Sequence, residues 1–117
     1  MKVIELIDHI TPSVLEAGKS IMEIYKRHLI PDVKKDGSPV TAADKSSEEI
    51  ILAKLKELVP EIPIVSEENS ESHLKINHKT FFLVDPLDGT KEFLKRDGKG
   101  SFTVNIGMIE NNIPKMG

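Results

Sequence analysis

The chain has 117 residues, a formal net charge of −3 and no cysteine. This length fits one domain with one core, and the absence of cysteine excludes a disulfide scaffold, a thiolate zinc site and a cysteine nucleophile. Sixteen basic against nineteen acidic residues, with one tyrosine and no tryptophan, argue against nucleic-acid binding. No apolar run approaches the roughly 20 residues that span a bilayer, and the N-terminus lacks a signal-peptide pattern, so we expect a cytoplasmic protein.

Apolar residues recur at helical spacing in the N-terminal region. The pattern predicts a helix over about 12–28, with Thr11 as its N-cap and Pro12 at its first helical position. Residues 2–10 are predicted to form a short preceding helix or the first arm of a kinked one. Pro31 is expected to mark the end of this region.

A second amphipathic helix is predicted over about 42–58, after a loop or small hairpin at 31–41. Thr41 and Asp44 are spaced like a capping box at its start. Pro60 is expected to close the helix.

The pattern in the rest of the chain predicts mainly strands. Strands are predicted at 62–66, 81–84 and 102–109, with a return strand at 113–117 after a hairpin turn at 110–112. A polar surface loop is predicted at 67–80 and a short helix at 90–95. These elements predict an α+β fold with helices packed on a mainly antiparallel sheet.

The strongest local feature is the sequence DPLDGT at residues 85–90, which follows an apolar strand. Asp85 and Asp88, on a turn leaving that strand, can point at one spot, and their repulsion calls for a cation. Oxygen ligands suit Mg²⁺, Mn²⁺ or Ca²⁺, and the Leu87 carbonyl could supply another. The alternative is an Asx-type turn plus a helix cap, with Asp88 capping the helix from Thr90.

Two further acidic residues bear on this choice. Glu67 follows the other apolar strand, and if the strands are neighbours it can join Asp85 and Asp88. Its alternative role is the solvated start of a loop. Asp44 is expected to cap a helix, which does not exclude a second role in holding a water.

The backbone amides of Gly89, Thr90 and Lys91 open the predicted short helix, and such amides form an anion site. A divalent-metal cluster beside an anion site is suited to phosphoryl transfer to water. The residues therefore favour a metal-dependent phosphatase.

Three motifs carry a family resemblance: SPVTAAD at 38–44, SEE at 66–68 and DPLDGT at 85–90. In order and spacing they resemble the Mg²⁺-dependent, lithium-sensitive phosphatases of the inositol monophosphatase superfamily. The extension KEF at 91–93 and the form of the first motif are similar to its CysQ-type branch, the 3'(2'),5'-bisphosphate nucleotidases.

The resemblance implies roles for individual residues. It implies metal ligation, with Mg²⁺ as the cofactor, by Glu67, Asp85, the Leu87 carbonyl and Asp88. It implies catalytic roles for Asp44, Glu67 and Thr90, of which Asp44 and Thr90 orient and activate the attacking water. It implies substrate contacts at Glu67, Leu87, Asp88, Gly89 and Thr90, with the amides of Gly89 and Thr90 binding phosphate.

The activity that the resemblance implies is hydrolysis of 3'-phosphoadenosine 5'-phosphate to AMP and phosphate. The alternatives are an inositol monophosphatase and a catalytically inert fragment that binds metal or a partner chain. Family members are αβαβα sandwiches of well over twice this length, with a Trp-Asp motif in their second half. We therefore expect residues 1–117 to be the N-terminal metal- and phosphate-binding portion, without the C-terminal portion, nearly inactive alone and prone to self-association.

Overall fold

The computed structural model describes residues 2–28, 39–66, 79–95, 98–99 and 101–117, with the backbone alone at 28, 39–41 and 94. Its elements are α1 (Val3–His28), α2 (Pro39–Leu58), β1 (Ile64–Ser66), β2 (Thr80–Asp88), α3 (Thr90–Leu94), β3 (Thr103–Glu110) and β4 (Ile113–Met116). The strands form one sheet in the order β1-β2-β3-β4, in which β1 and β2 are parallel and the other pairs antiparallel. Helices α1 and α2 share a core with one face of this sheet. The predicted α+β class and mainly antiparallel sheet are confirmed.

Helix α1 is continuous from Val3, which corrects the prediction that a helix starts at Pro12 with Thr11 as its N-cap. Pro12 lies inside the helix, and the Thr11 hydroxyl donates to the Ile7 carbonyl at 2.6 Å. An internal proline removes one backbone hydrogen bond and commonly breaks a helix. Here the buried side chains lie on both sides of it, at Leu6, Ile10, Ala17, Ile21 and Tyr25. Packing along the whole apolar stripe therefore outweighs the local cost of the proline.

Helix α2 begins at Pro39, three residues before its predicted start at 42. Proline suits the first position of a helix because the amide that it lacks has no intrahelical partner there. Thr41 and Asp44 consequently lie within the helix, and the prediction that they form a capping box is wrong. No helix among the described residues is long and apolar enough to cross a membrane.

Strand β2 is longer than predicted, because it runs through Asp88 instead of turning after Val84. The predicted neighbouring of the two apolar strands is confirmed, since Ser66 at the end of β1 pairs with Val84. The predicted hairpin is confirmed too. Its turn residues Asn111 and Asn112 have φ angles of 52° and 65°, the left-handed conformation typical of two-residue hairpins. The predicted loop at 67–80 lies almost wholly outside the described residues, as does most of the one at 31–41.

The core has two parts, and the smaller one supports the DPLDGT segment. It consists of Ile21, Tyr25, Ala43, Leu87 and Phe93, with Phe102 packed against it. The rings of Tyr25, Phe93 and Phe102 form an aromatic cluster with centroid separations of 5.1 to 5.5 Å. Such tilted and edge contacts favour a defined arrangement of rings. The cluster thereby holds α3 against α1 and the start of β3.

Candidate active site

A bulge in β2 sets the geometry of Asp85 and Asp88. Residues three apart in a regular strand point to opposite faces. Here Asp85 pairs with Asn105 and Asp88 with Thr103, so three steps on β2 oppose two on β3. Asn105 and Thr103 share a face, and their side chains are hydrogen-bonded at 2.9 Å. The extra residue therefore places both aspartates on that same face.

Core packing independently supports this assignment of faces. Before the bulge, Phe82 and Val84 belong to the core shared with the helices, so Leu83 and Asp85 face away from it. After the bulge it is Leu87 that packs with the helices. Between Val84 and Leu87, the side chains that face the helices thus change from even-numbered to odd-numbered residues. Leu83, on the same face as Asp85, is 39% exposed.

Proline at position 86 fits this place in the sheet. Among the described residues the pairing of β1 with β2 reaches Val84, and residue 86 lies in the bulge, where the ladder between β2 and β3 is interrupted. Proline is tolerated in strands at bulges for this reason. Asp85 and Asp88 therefore belong to a bulged strand end, and the prediction of a turn leaving the strand is corrected.

The peptide group between Pro86 and Leu87 is hydrogen-bonded at both ends. Its carbonyl accepts a bond from the fully buried Ser47 hydroxyl of α2, with an O–O distance of 2.8 Å. Its amide donates to the Asp85 carboxylate, with an N–O distance of 3.3 Å. Helix α2 is thus connected to Asp85 through one planar group.

Helix α2 also contacts the end of β1. The buried Ser66 hydroxyl donates to Glu48 Oε2 at 2.5 Å. Ser47 and Glu48, consecutive in α2, therefore reach the ends of β2 and β1 respectively. Neither residue was predicted from the sequence. The available signal was their spacing of three and four residues after Asp44, which places all three near one side of the helix.

Asp44 is 7% exposed and lies in the second turn of α2. Its neighbour Ala43 shares the smaller core with Leu87 and Phe93, so this part of α2 packs beside the DPLDGT segment. Among the residues that the structure describes, no three His, Cys, Asp or Glu side chains form a group that could hold a metal ion. Glu67 lies outside those residues, so the metal-ligand set remains a prediction. The described donors are oxygen atoms, the type that Mg²⁺ prefers.

Gly89 is the N-cap of α3, and within the described part of the chain no side-chain hydrogen bond caps this helix end. The Asp88 cap of the alternative interpretation is therefore wrong, whereas its Asx-type contact is confirmed, since the Leu87 amide donates to the Asp85 carboxylate two residues earlier. Gly89 has a φ of 105°, and a Cβ built there would lie 2.9 Å from the Ser101 carbonyl oxygen. Position 89 therefore requires glycine. Thr90 is the exposed first residue of α3. The predicted short helix is thereby confirmed.

Together, the helices on a mixed sheet and the acidic strand end define an α+β domain with a candidate site for a cation and an anion. The protein belongs to the inositol monophosphatase family, whose model matches residues 3–117.

Three informative relatives are two CysQ proteins and one inositol monophosphatase. The 3'(2'),5'-bisphosphate nucleotidase CysQ of Shigella flexneri is 42% identical over 115 residues, covering 96% of this chain and 46% of that protein. The crystal structure of CysQ from Bacteroides thetaiotaomicron matches with a TM-score of 0.75 and 38% identity, over 94% of this chain and 40% of that one. Inositol monophosphatase II from Staphylococcus aureus matches with a TM-score of 0.74 and 26% identity, over 94% and 39%. The chain spans less than half the length of each.

Proposed function

We propose that residues 1–117 are the N-terminal metal- and phosphate-binding portion of a Mg²⁺-dependent phosphomonoesterase that hydrolyses 3'-phosphoadenosine 5'-phosphate to AMP and phosphate. The observation that carries this proposal is the β2 bulge, which sets Asp85 and Asp88 on one face directly before the Gly89 turn. The similarity to two CysQ proteins supports the choice of a bisphosphate nucleotide as substrate. Lithium inhibition is part of the same proposal.

In this proposal Glu67, Asp85, the Leu87 carbonyl and Asp88 hold Mg²⁺. When bound, the ion supplies charge neutralisation for phosphate and a more acidic water. The other roles belong to the chain itself. The amides of Gly89 and Thr90, at the start of α3, donate to phosphate oxygens.

The attacking water is assigned to Asp44 and Thr90. The Thr90 hydroxyl can accept a hydrogen bond from the water and donate its own proton to a carboxylate. Asp44 supplies the carboxylate that accepts this bond, and Glu67, which follows β1 in the sequence, assists. The burial of Asp44 restricts the orientations open to its carboxylate.

The proposal is tested by phosphate release with Mg²⁺ from 3'-phosphoadenosine 5'-phosphate and from inositol 1-phosphate. The complete gene product containing this chain is expected to hydrolyse the nucleotide faster. The reverse order would favour an inositol monophosphatase, the alternative that the similarity to the Staphylococcus aureus enzyme supports. Release from neither substrate would contradict both and favour a non-catalytic binding protein.

The 117-residue chain alone is expected to show little or no turnover and to self-associate. Strand β4 forms one edge of the described sheet, and its Ile113 is 56% exposed. Unpaired strand edges promote association between chains. Light scattering together with the phosphate assay checks both points. Ordinary enzymatic turnover by a monodisperse monomer would contradict them.

Replacing Asp88 with asparagine is expected to weaken Mg²⁺ binding by about tenfold or more, because a charged oxygen ligand is lost. The same change should slightly raise the stability of the metal-free protein, since Asp85 and Asp88 are like charges on one face. Calorimetric titration with Mg²⁺ and thermal melting in a chelator measure the two effects. Asp8→Asn, on the exposed surface of α1, is the matched control. Unchanged Mg²⁺ affinity in Asp88→Asn would remove Asp88 from the ligand set.

A further inference from the structure

The hydrogen bonds around the Pro86–Leu87 peptide group form a connection between the helix layer and the acidic face of the sheet. Ser47 donates to the carbonyl from α2, which packs on the core side. The Leu87 amide donates to Asp85, which the strand register places on the opposite face. Both bonds belong to one rigid planar unit, so the position of the hydroxyl constrains the direction of the amide.

This connection bears directly on the Asp85 carboxylate. A half-buried aspartate can occupy several rotamers, and a hydrogen bond from a fixed amide selects among them. A bond to the carbonyl also polarises the peptide and strengthens its amide as a donor. Ser47 is fully buried and Pro86 is buried with it, so water does not compete readily for this bond.

We propose that Ser47 is a positioning residue that sets the orientation of the Asp85 carboxylate through the Pro86–Leu87 peptide group. This inference rests on the proposed function only for the further step that Asp85 is a metal ligand. Groups that orient a ligand typically affect metal affinity or activity by about 10- to 100-fold. Ser47 never touches the metal or the substrate in this role.

The chain provides a matched control in the adjacent residue. Ser46 is also a serine of α2 and is partly buried, but its hydroxyl is hydrogen-bonded to the hydroxyl of Ser20 in α1. Ser46→Ala therefore removes the same chemical group from the same helix without touching the Pro86 carbonyl. If the measured signals change in Ser47→Ala and not in Ser46→Ala, the cause is the positioning of Asp85 and not the general packing of α2.

The first measurement needs neither metal nor substrate. In the metal-free complete gene product, NMR records the amide proton shift of Leu87 and the carboxyl carbon shift of Asp85. Ser47→Ala is expected to move the Leu87 proton upfield by more than any other amide of β2, and to move the Asp85 carbon with it. Ser46→Ala should leave both at their original values. Unmoved Leu87 and Asp85 signals in Ser47→Ala would overturn the proposal.

The second measurement is calorimetric titration with Mn²⁺ alone. Ser47→Ala is expected to bind Mn²⁺ about tenfold more weakly, and Ser46→Ala as tightly as the unchanged protein. An equal loss in both variants, or none in Ser47→Ala, would overturn the proposal. If the unchanged protein binds no Mn²⁺, the proposed function fails, and the NMR shifts alone decide the role of Ser47.

A near-isosteric variant covers the case in which Ser47→Ala does not fold. Ser47→Cys fills the same site with a thiol, which is a weak donor. NMR shifts and Mn²⁺ affinity displaced from those of the unchanged protein would support the proposal. Values equal to those of the unchanged protein would overturn it.

Discussion

Gly89→Ala is expected to destabilise the protein by about 3 kcal/mol or more and to lower its melting temperature by roughly 10 °C or more. Two causes add. A φ of 105° is strained for any residue with a side chain, and the new Cβ would lie 3.0 Å from the Cβ of Phe102 as well as close to the Ser101 carbonyl. Neither neighbour is the free end of a flexible side chain. The strain therefore falls on the backbone.

The control for this prediction is a second glycine with the opposite expectation. Gly18 lies in α1, and a Cβ added there would meet nothing within 4 Å. Gly18→Ala should therefore stabilise the protein by about 1 kcal/mol, through helix propensity. Thermal or denaturant unfolding of the two variants measures the contrast. A Gly89→Ala protein as stable as the original would show that the turn after Asp88 can relax.

Thr90→Ala is expected to reduce turnover by about 10²- to 10⁴-fold in the complete gene product, while Mg²⁺ affinity changes little. The physical reason is that a hydroxyl orienting the attacking water acts in the reaction and not in binding the ion. Thr90 is exposed at the first position of α3, so the loss of its side chain should cost little stability. Steady-state kinetics and calorimetric titration separate the two effects.

Two further variants sharpen the test of Thr90. Thr90→Ser keeps the hydroxyl and should recover most of the turnover. Thr11→Ala removes a threonine hydroxyl that is bonded to Ile7 within α1, on a groove lined by residues of β3 and β4, and should leave kinetics unchanged. Near-normal turnover of Thr90→Ala would mean that Thr90 serves only as the first residue of the helix.

The sequence was most informative where structure depends on local pattern. Strand β2 contains the predicted apolar run at 81–84, and β3 contains nearly all of the predicted alternation at 102–109. The paired asparagines at 111–112 form the turn between β3 and β4. Local rules failed where tertiary packing opposes them. Thr11 and Pro12 have the chemistry of a helix start, yet the buried residues on both sides keep α1 continuous.

The site was predictable in its residue types but not in its connections. The motif with Asp85 and Asp88 pointed to the correct family. The bulge that brings these residues to one face depends on pairing with β3, which lies about 20 residues further along the chain. The bond from Ser47 to Pro86 joins residues 39 positions apart, so no local pattern encodes it.

The bulge also divides β2 into two parts that join near Pro86. In these two phases, side chains of opposite numbering, even and then odd, face the helices. Upstream of the joint the even-numbered side chains are buried against the helices, and downstream an odd-numbered one, Leu87, takes that place. A substitution within this segment changes one side chain and leaves both phases intact. Removing Pro86 would restore regular alternation with Leu87 and both aspartates on their present faces, but it would delete the carbonyl that Ser47 binds and shorten the separation of the two aspartates. The bulge thus lets the two aspartates stand three residues apart on one face with a buried proline carbonyl between them.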